Sequence, residues 1–276
     1  MINYLLGKNG FVAKKTAKYF LKKNKKINLI GSKDIDLTQK KFKKKINLKS
    51  NSNIIFLSAI TPDKGKDLFT FDKNISMVIN FLNNVNLKNI SKFIYISSDA
   101  VYSLKEQKIS DKTLPNPDDL YGLMHLTREY ILKKVIAPNK LLILRPTIMY
   151  GIGDTHNSYG PNRFISQLKN NQKIKLFGKG LDLRDHLYID DLVKIIYKSS
   201  LKKNLFGEYA VASKKSFKFI DVAKKLLILK NKPKNFIEFI KVNNKVSKRY
   251  FSNLRIGKIL KFKFTDLNSG LNKYLN

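Results

Sequence analysis

Apolar residues in the first half of this chain fall into short runs separated by amphipathic stretches. Ile2–Leu6 reads as a strand, closed by Gly7-Lys8-Asn9-Gly10. Residues 11 to 23 then carry Ala13, Ala17, Phe20 and Leu21 on one helical face. Ile27–Ile30 is the next strand, and 54–58 (IIFLS) is a buried one. Phe71, Ile75, Val78, Ile79 and Leu82 follow at helical spacing. Residues 93–97 form a further strand, 121–135 a helix and 141–145 (LLILR) a strand. Short strands alternating with amphipathic helices predict βαβ units: an α/β fold with a doubly wound parallel sheet.

The second half is less regular. Residues 151–161 (GIGDTHNSYGP) form a polar, glycine-rich loop. Pro161 is suited to the first turn of a helix running toward Leu168. Residues 174–177 predict a strand, Asp190 a cap for a helix through Leu201, and 219–230 and 267–275 two further helices. These patterns divide the chain into a Rossmann-like part, 1–147 with 182–212, and a small, discontinuous substrate-binding region, 148–181 with 213–276.

Composition adds three constraints. There is no cysteine among the 276 residues, which removes disulfides and thiolate metal sites. The N-terminus has only a four-residue apolar run before its glycine turn, and no window approaches a spanning length, so the cytoplasm is the expected compartment. The formal charge is +35, from 55 Lys and Arg against 20 Asp and Glu. Only six of the basic residues are arginine, the side chain whose fork suits phosphate and groove recognition, and the lysines are spread along the chain. A solvated lysine surface that attracts anionic small molecules is therefore expected rather than a nucleic-acid site. His156 and His186 have no partners at metal-ligand spacing, so no metal is expected.

The candidate chemistry begins at the first turn. Gly7, Gly10, Phe11, Val12 and Ala13 join a strand to a helix, where a dinucleotide pyrophosphate docks on helix N–H groups. The second strand ends in Gly31-Ser32-Lys33-Asp34. A hydroxyl and an ammonium, Ser32 and Lys33, come before the carboxylate, which leans toward NADP while Asp34 keeps NAD open. Ser97 and Ser98 end the strand in FIYISSDAVYS, and Tyr121 follows 23 residues after Ser98. A hydroxyl at a strand end and a phenol on a nearby helix suit proton transfer during hydride transfer.

In order, the segments GKNGFVA, IIFLSA, YISSDAVY, YGLMH, LRPTIMYG and GKGLDLRDHLYIDDLV resemble the extended short-chain dehydrogenase/reductase family, in its nucleotide-sugar epimerase, dehydratase and reductase branch. The resemblance implies that Ser98 binds the reacting sugar oxygen and that Tyr121 is the acid/base. It implies Gly7 and Gly10 at the pyrophosphate, Ser58 and Ala59 along the cofactor, and Pro146 and Thr147 beside the nicotinamide. It places Asp99 and Arg184 at the substrate, and Asn162 and Arg163, at the start of the fourth helix, are further candidate contacts. Ala100 replaces the glutamate of dehydratases, which argues against 4,6-dehydration. His125 stands where the family has a lysine, on the same helix face as Tyr121; an imidazolium there would help the phenol ionise. Ile148 replaces an asparagine of many members. The expected function is epimerisation or keto reduction of a nucleotide-activated sugar with NAD(P), in polysaccharide precursor synthesis, with a homodimer possible. Reduction of another small carbonyl substrate, or a non-catalytic NAD(P)-binding regulator, are the alternatives.

Overall fold

The computed structural model describes residues 2–154, 160–243 and 245–275. In chain order the elements begin β1 (Ile2–Leu6), α1 (Phe11–Lys22), β2 (Ile27–Ile30), β3 (Ser52–Phe56), α2 (Leu68–Asn83), β4 (Ile90–Ile96), β5 (Lys108–Ile109), α3 (Leu120–Val135) and β6 (Leu141–Pro146). They continue with β7 (Ile148–Tyr150), α4 (Gly160–Lys169), β8 (Ile174–Phe177), β9 (Leu183–Tyr188), α5 (Ile189–Leu201), β10 (Gly207–Val211), β11 (Ser216–Lys218) and α6 (Phe219–Leu229). The last are β12 (Ile237–Ile240), β13 (Tyr250–Phe251), α7 (Ile256–Ile259) and α8 (Leu267–Leu275).

The chain divides into two compact units. The first comprises Met1–Ser103, Leu114–Pro146 and Leu192–Ala210. The second comprises Leu104–Thr113, Thr147–Asp191 and Val211–Asn276, so it also takes in 104–113 and 182–191.

In the first unit a six-stranded sheet runs β10-β6-β4-β3-β1-β2, with β2, β1, β3, β4 and β6 paired in parallel. The expected doubly wound α/β sheet is present. The order reverses between β1 and β3, the topological position at which ligands bind in open α/β sheets, outside the carboxyl ends of the strands. One face carries the aromatic core: Phe56 stacks with Phe93 at 5.9 Å and meets Phe81 edge-on at 5.6 Å. Val78 and Phe81 of α2 and Leu132 of α3 complete this layer. On α1, Phe20 meets Tyr197 of α5 edge-on at 5.2 Å.

The second unit holds a three-stranded sheet, β11-β9-β7, in which β9 pairs parallel to β7 and antiparallel to β11. The unit also holds two parallel pairs, β12 with β8 and β13 with β5. The charged run Leu183–Tyr188 is thus a strand. Asp190 lies within the first turn of α5, not before it, and Asp191 reaches Thr265, accepting from its N–H at 2.6 Å and from its hydroxyl at 2.9 Å. Pro161 occupies the first turn of α4, as its fixed φ favours.

Candidate active site

Gly7 takes a positive φ of 91°, open to glycine at little cost. A Cβ there would meet the Ser58 nitrogen at 2.9 Å, so the first turn packs directly on the chain leaving β3. At Gly10 a Cβ would find nothing closer than 3.4 Å, the Gly7 carbonyl, which leaves the space above it clear. Gly10 is the N-cap of α1 and offers no capping side chain, and no acidic residue stands in the first turn. No side chain of this turn therefore takes up the first helix N–H groups, which carry the positive end of the helix dipole. Phe11 is buried and Val12 half-buried behind that turn. A cradle without Cβ atoms, on an uncapped helix N-terminus, fits a dinucleotide pyrophosphate.

At the end of β2, Ser32 and Lys33 are exposed. The Asp34 carboxylate turns back, accepting from the Gly31 N–H at 2.9 Å and pairing with Lys8 at 2.6 Å. The Lys8 contact, followed by the Gly31 N–H, holds the Asp34 carboxyl below its ordinary range. Its negative charge is thereby matched by a lysine of the glycine turn.

Ser98 and Tyr121 come together through a glycine. Asp119 caps α3 by accepting from the Gly122 N–H at 2.8 Å. A Cβ on Gly122 would lie 2.2 Å from the Ala100 carbonyl oxygen and 2.8 Å from Pro117. Only glycine lets the first turn of α3, which carries Tyr121, sit directly on the turn that follows Ser98. Ser98 caps that turn, its Oγ accepting from the Ala100 N–H at 3.1 Å, so its own O–H proton is not used by that bond. Ser97, by contrast, is buried and donates to Glu129 at 2.6 Å, a structural tie. Asp99 is half-buried at the start of the turn. Tyr121 is half-buried and lines a small cleft with Ile60, Asp67, Thr70 and Asn74.

His125 does lie on the Tyr121 face of α3, its ring perpendicular to the phenol ring with centroids 4.7 Å apart. The expectation of an imidazolium fails, however. His125 is 3% exposed, and burial, aided by the nearby Arg128 charge, pulls it down to about 3. The ring is neutral at neutral pH, because a cation there would lose its hydration and face another cation. Its Nδ1 lies 2.7 Å from the Tyr95 hydroxyl, and Nε2 has no hydrogen-bond partner among the described residues.

Arg128, which the sequence reading passed over, is fully buried on the same face. Its Nε donates to the Asn74 carbonyl at 2.7 Å and its Nη1 to the Ser58 carbonyl at 2.8 Å. Its Nη2 bonds both the carbonyl and the side-chain oxygen of Asn74. Asn74 in turn exchanges two bonds with Ile60, through Oδ1 at 2.8 Å and Nδ2 at 3.0 Å. Arg128 thus organises the loop of Ser58 and Ala59, both half-buried. The one available signal was a charged residue in the middle of the stripe Met124, Arg128, Leu132.

The remaining candidates divide. Pro146 ends β6 and is buried. Thr147 donates to Asp185 at 3.0 Å and is 3% exposed, so its hydroxyl serves the second unit's packing. Asn162 is buried and spends its amide on the preceding loop: its Oδ1 accepts from the Gly151 N–H at 3.0 Å, and its Nδ2 donates to Met149 and Asp154. It offers no amide group to a ligand in this arrangement. Arg163 fares better. It lies over the Phe177 ring at 4.7 Å and lines a pocket of about 160 Å³ with Phe177, Asp182 and Phe219. Arg184 donates to the Leu183 and Ser247 carbonyls, both at 2.9 Å. His156 lies outside the described residues. His186 is buried, its two ring nitrogens without hydrogen-bond partners among the described residues. No group of three or more metal-ligating side chains occurs among the described residues, and no described helix is long and apolar enough to cross a membrane.

Residues 4–211 match the model of the NAD dependent epimerase/dehydratase family. Over 159 residues the chain is 28% identical to dTDP-D-glucose 4,6-dehydratase of Dictyostelium discoideum, a match that covers 50% of this chain and 35% of that one. The fold resembles the ADP-L-glycero-D-manno-heptose-6-epimerase of Helicobacter pylori, with a TM-score of 0.82 at 17% identity, covering 99% of this chain and 95% of that one. It also resembles dTDP-4-dehydrorhamnose reductase of Bacillus anthracis in complex with NADP, with a TM-score of 0.75 at 18% identity over 99% and 97% of the two chains.

Proposed function

The chain belongs to the NAD dependent epimerase/dehydratase family, and we propose that it is an NAD(P)-dependent epimerase or reductase of a nucleotide-activated sugar. The observation that carries this reading is the Gly122 contact, which seats the Tyr121 turn on the turn capped by Ser98. Two hydroxyls of different acidity then stand at the carboxyl end of the sheet, at the end where Gly7 and Gly10 open onto α1. Relatives that act on nucleotide sugars and structural neighbours of the same kind support the substrate class.

Ser98 would donate its free proton to the sugar oxygen and fix its orientation. Tyr121 would exchange a proton with the same oxygen as the C–O bond order changes. When bound, the nicotinamide supplies the hydride acceptor or donor. Gly7, Gly10 and the N–H groups of α1 would hold the pyrophosphate, with Ser58 and Ala59 along its path. Lys33, with Lys8 matching the Asp34 charge, supports a modest preference for NADP. In the second unit, the Arg163 and Phe177 pocket has the aromatic wall and cation that a nucleotide base and phosphate would use. Ala100, in place of an acid, disfavours dehydration. The second unit would thus carry the substrate and the first the cofactor.

The test pairs binding with turnover. Calorimetry with NAD and NADP should give saturable binding, tighter for NADP by a few-fold. Tyr121→Phe should keep that binding and lose turnover of nucleotide sugars by about 100-fold or more. Unchanged turnover in Tyr121→Phe would remove the acid/base assignment, and no binding of either dinucleotide would remove the reading altogether.

A further inference from the structure

We propose that Arg128 is the positioning residue that supplies a permanent positive charge to the Tyr121 phenol, and that His125 beside it supplies none. The proposal rests on the reading that Tyr121 exchanges the proton. Tyr121, His125 and Arg128 stand at i, i+4 and i+7 of α3, on one face. The guanidinium is fully buried, yet every hydrogen-bond acceptor it meets among the described residues is neutral: two backbone carbonyls, the Asn74 amide oxygen and the Met77 sulfur. It also faces the Phe56 ring at 5.8 Å. No carboxylate pairs with it among the described residues. A buried cation without a counter-ion is costly, and an apolar side chain of similar length would fill the space at lower cost. Its charge is therefore held at a cost to stability, and the charge itself needs a use. An ionising phenol is the group that gains from it.

The surroundings support this pairing. A phenolate at Tyr121 or Tyr95 would be attracted by the Arg128 cation. Tyr95 is pushed up by burial, so it keeps its proton. The Tyr95 hydroxyl lies 2.7 Å from His125 Nδ1, so the ring is tied to β4. Among the described residues, the cleft that Tyr121 lines also holds Lys66 and Asp67, before α2, and Asp119 caps α3. Lys66 and Asp67 are exposed and opposite in sign, so they largely cancel in water. Glu129, on the next position of α3, is bound to Ser97 and Arg145. Among the described residues of α3, Arg128 is the buried, permanently charged group on the face that carries Tyr121 and is held by no carboxylate.

The experiment titrates Tyr121 in the ligand-free protein by NMR of ¹³C-labelled tyrosine, its signal identified by its loss in Tyr121→Phe. Arg128→Gln keeps an amide that can donate to the Asn74 and Ser58 carbonyls but removes the charge. It should raise the Tyr121 pKa by about one unit or more. Arg128→Lys should hold it near the wild-type value, and adding His125→Lys to Arg128→Gln should bring it back. His125→Ala alone should leave it within a few tenths of a unit. An unchanged Tyr121 pKa in Arg128→Gln, or a rise of a unit in His125→Ala, overturns the proposal. If Arg128→Gln does not fold, the His125→Ala titration decides: no shift supports Arg128, a shift of a unit assigns the role to His125. Because no substrate is present, a wrong substrate class would show only in turnover, not in this titration.

Discussion

Two buried arginines of the first unit are held in opposite ways. Arg145, 2% exposed on β6, donates to Glu129 from Nε at 3.0 Å and from Nη2 at 2.5 Å. It also bonds Glu208 at 2.7 Å and the Tyr102 hydroxyl at 3.1 Å, and those partners hold its cation firmly protonated against the penalty of burial. Arg128, fully buried on α3, meets only uncharged acceptors among the described residues. The first guanidinium is locked in a charge network that closes on itself, and the second keeps its field free to act on its surroundings. Burial alone does not tell structure from function; the charge of the partners does.

Breaking the closed network should cost most. Glu129→Gln leaves Arg145 buried with one carboxylate in place of two and weakens the bond from Ser97. A loss of about 3–5 kcal/mol is expected, the range for removing one partner of a buried pair. Arg128→Gln removes no ion pair and should cost less. Urea melts at neutral pH compare the two directly. If Arg128→Gln proved the more destabilising, Arg128 would be as structural as Arg145 and the contrast would fall.

The next effect lies on the open side, where pH acts. His125 has an ordinary value of 6.5 and a folded value near 3. Between those pH values the unfolded chain binds a proton that the folded chain does not. Stability therefore rises with pH across that window and falls as pH drops from about 6.5, by about 1.4 kcal/mol per pH unit for this residue. His186, in the second unit, has the same burial-driven depression to about 3. His125→Asn should remove its share of the slope between pH 6 and about 4.5 while leaving that of His186. Denaturant midpoints measured across the window show it, and a slope unchanged by His125→Asn would mean that the imidazole is protonated in the fold.

These contrasts also mark what the sequence could and could not reveal. The sheet was legible because its strands are apolar runs and its helices keep one apolar face. Gly7 and Gly10 were legible because a strand-to-helix turn with an open N-terminus needs residues without Cβ, and Ser98 and Tyr121 because they follow a strand and begin a helix. β9 was missed because Leu183–Tyr188 carries Arg184, Asp185 and His186, polar groups that a strand reading excludes. Asp185 is buried by bonds from Thr147, Ser213 and Lys215 that lie far off in sequence. The charge state of His125 was missed for a related reason: the residue type is visible, but its desolvation is set by packing against β4. Arg128 breaks the rule that charged residues face water, and only its carbonyl partners across the fold explain how it can.

The smallest effect lies at the rim of the closed network. Glu208 bonds Arg145 through one oxygen and Lys133 through the other at 3.0 Å, with about a third of its side chain in contact with water. Burial raises the Glu208 carboxyl, but the Lys133 hydrogen bond and the Arg145 charge outweigh it, and the group lies below its ordinary 4.5. A depressed carboxyl contributes its full stabilisation above the unfolded value and loses it as pH falls through the folded one. Glu208→Gln should therefore cost about 0.2–1 kcal/mol at neutral pH, the range for a partly exposed pair. The cost should shrink as pH drops below the ordinary glutamate range, because the wild-type carboxyl then takes up its proton too. Raising the salt concentration should reduce it as well, which it would not do for Glu129→Gln, whose partners are shielded from ions. Chemical denaturation of both variants at neutral and acid pH, each at low and high salt, separates them. A Glu208→Gln cost that matched Glu129→Gln and ignored salt would show that the rim is as desolvated as the centre, and that the network around Arg145 has no open edge.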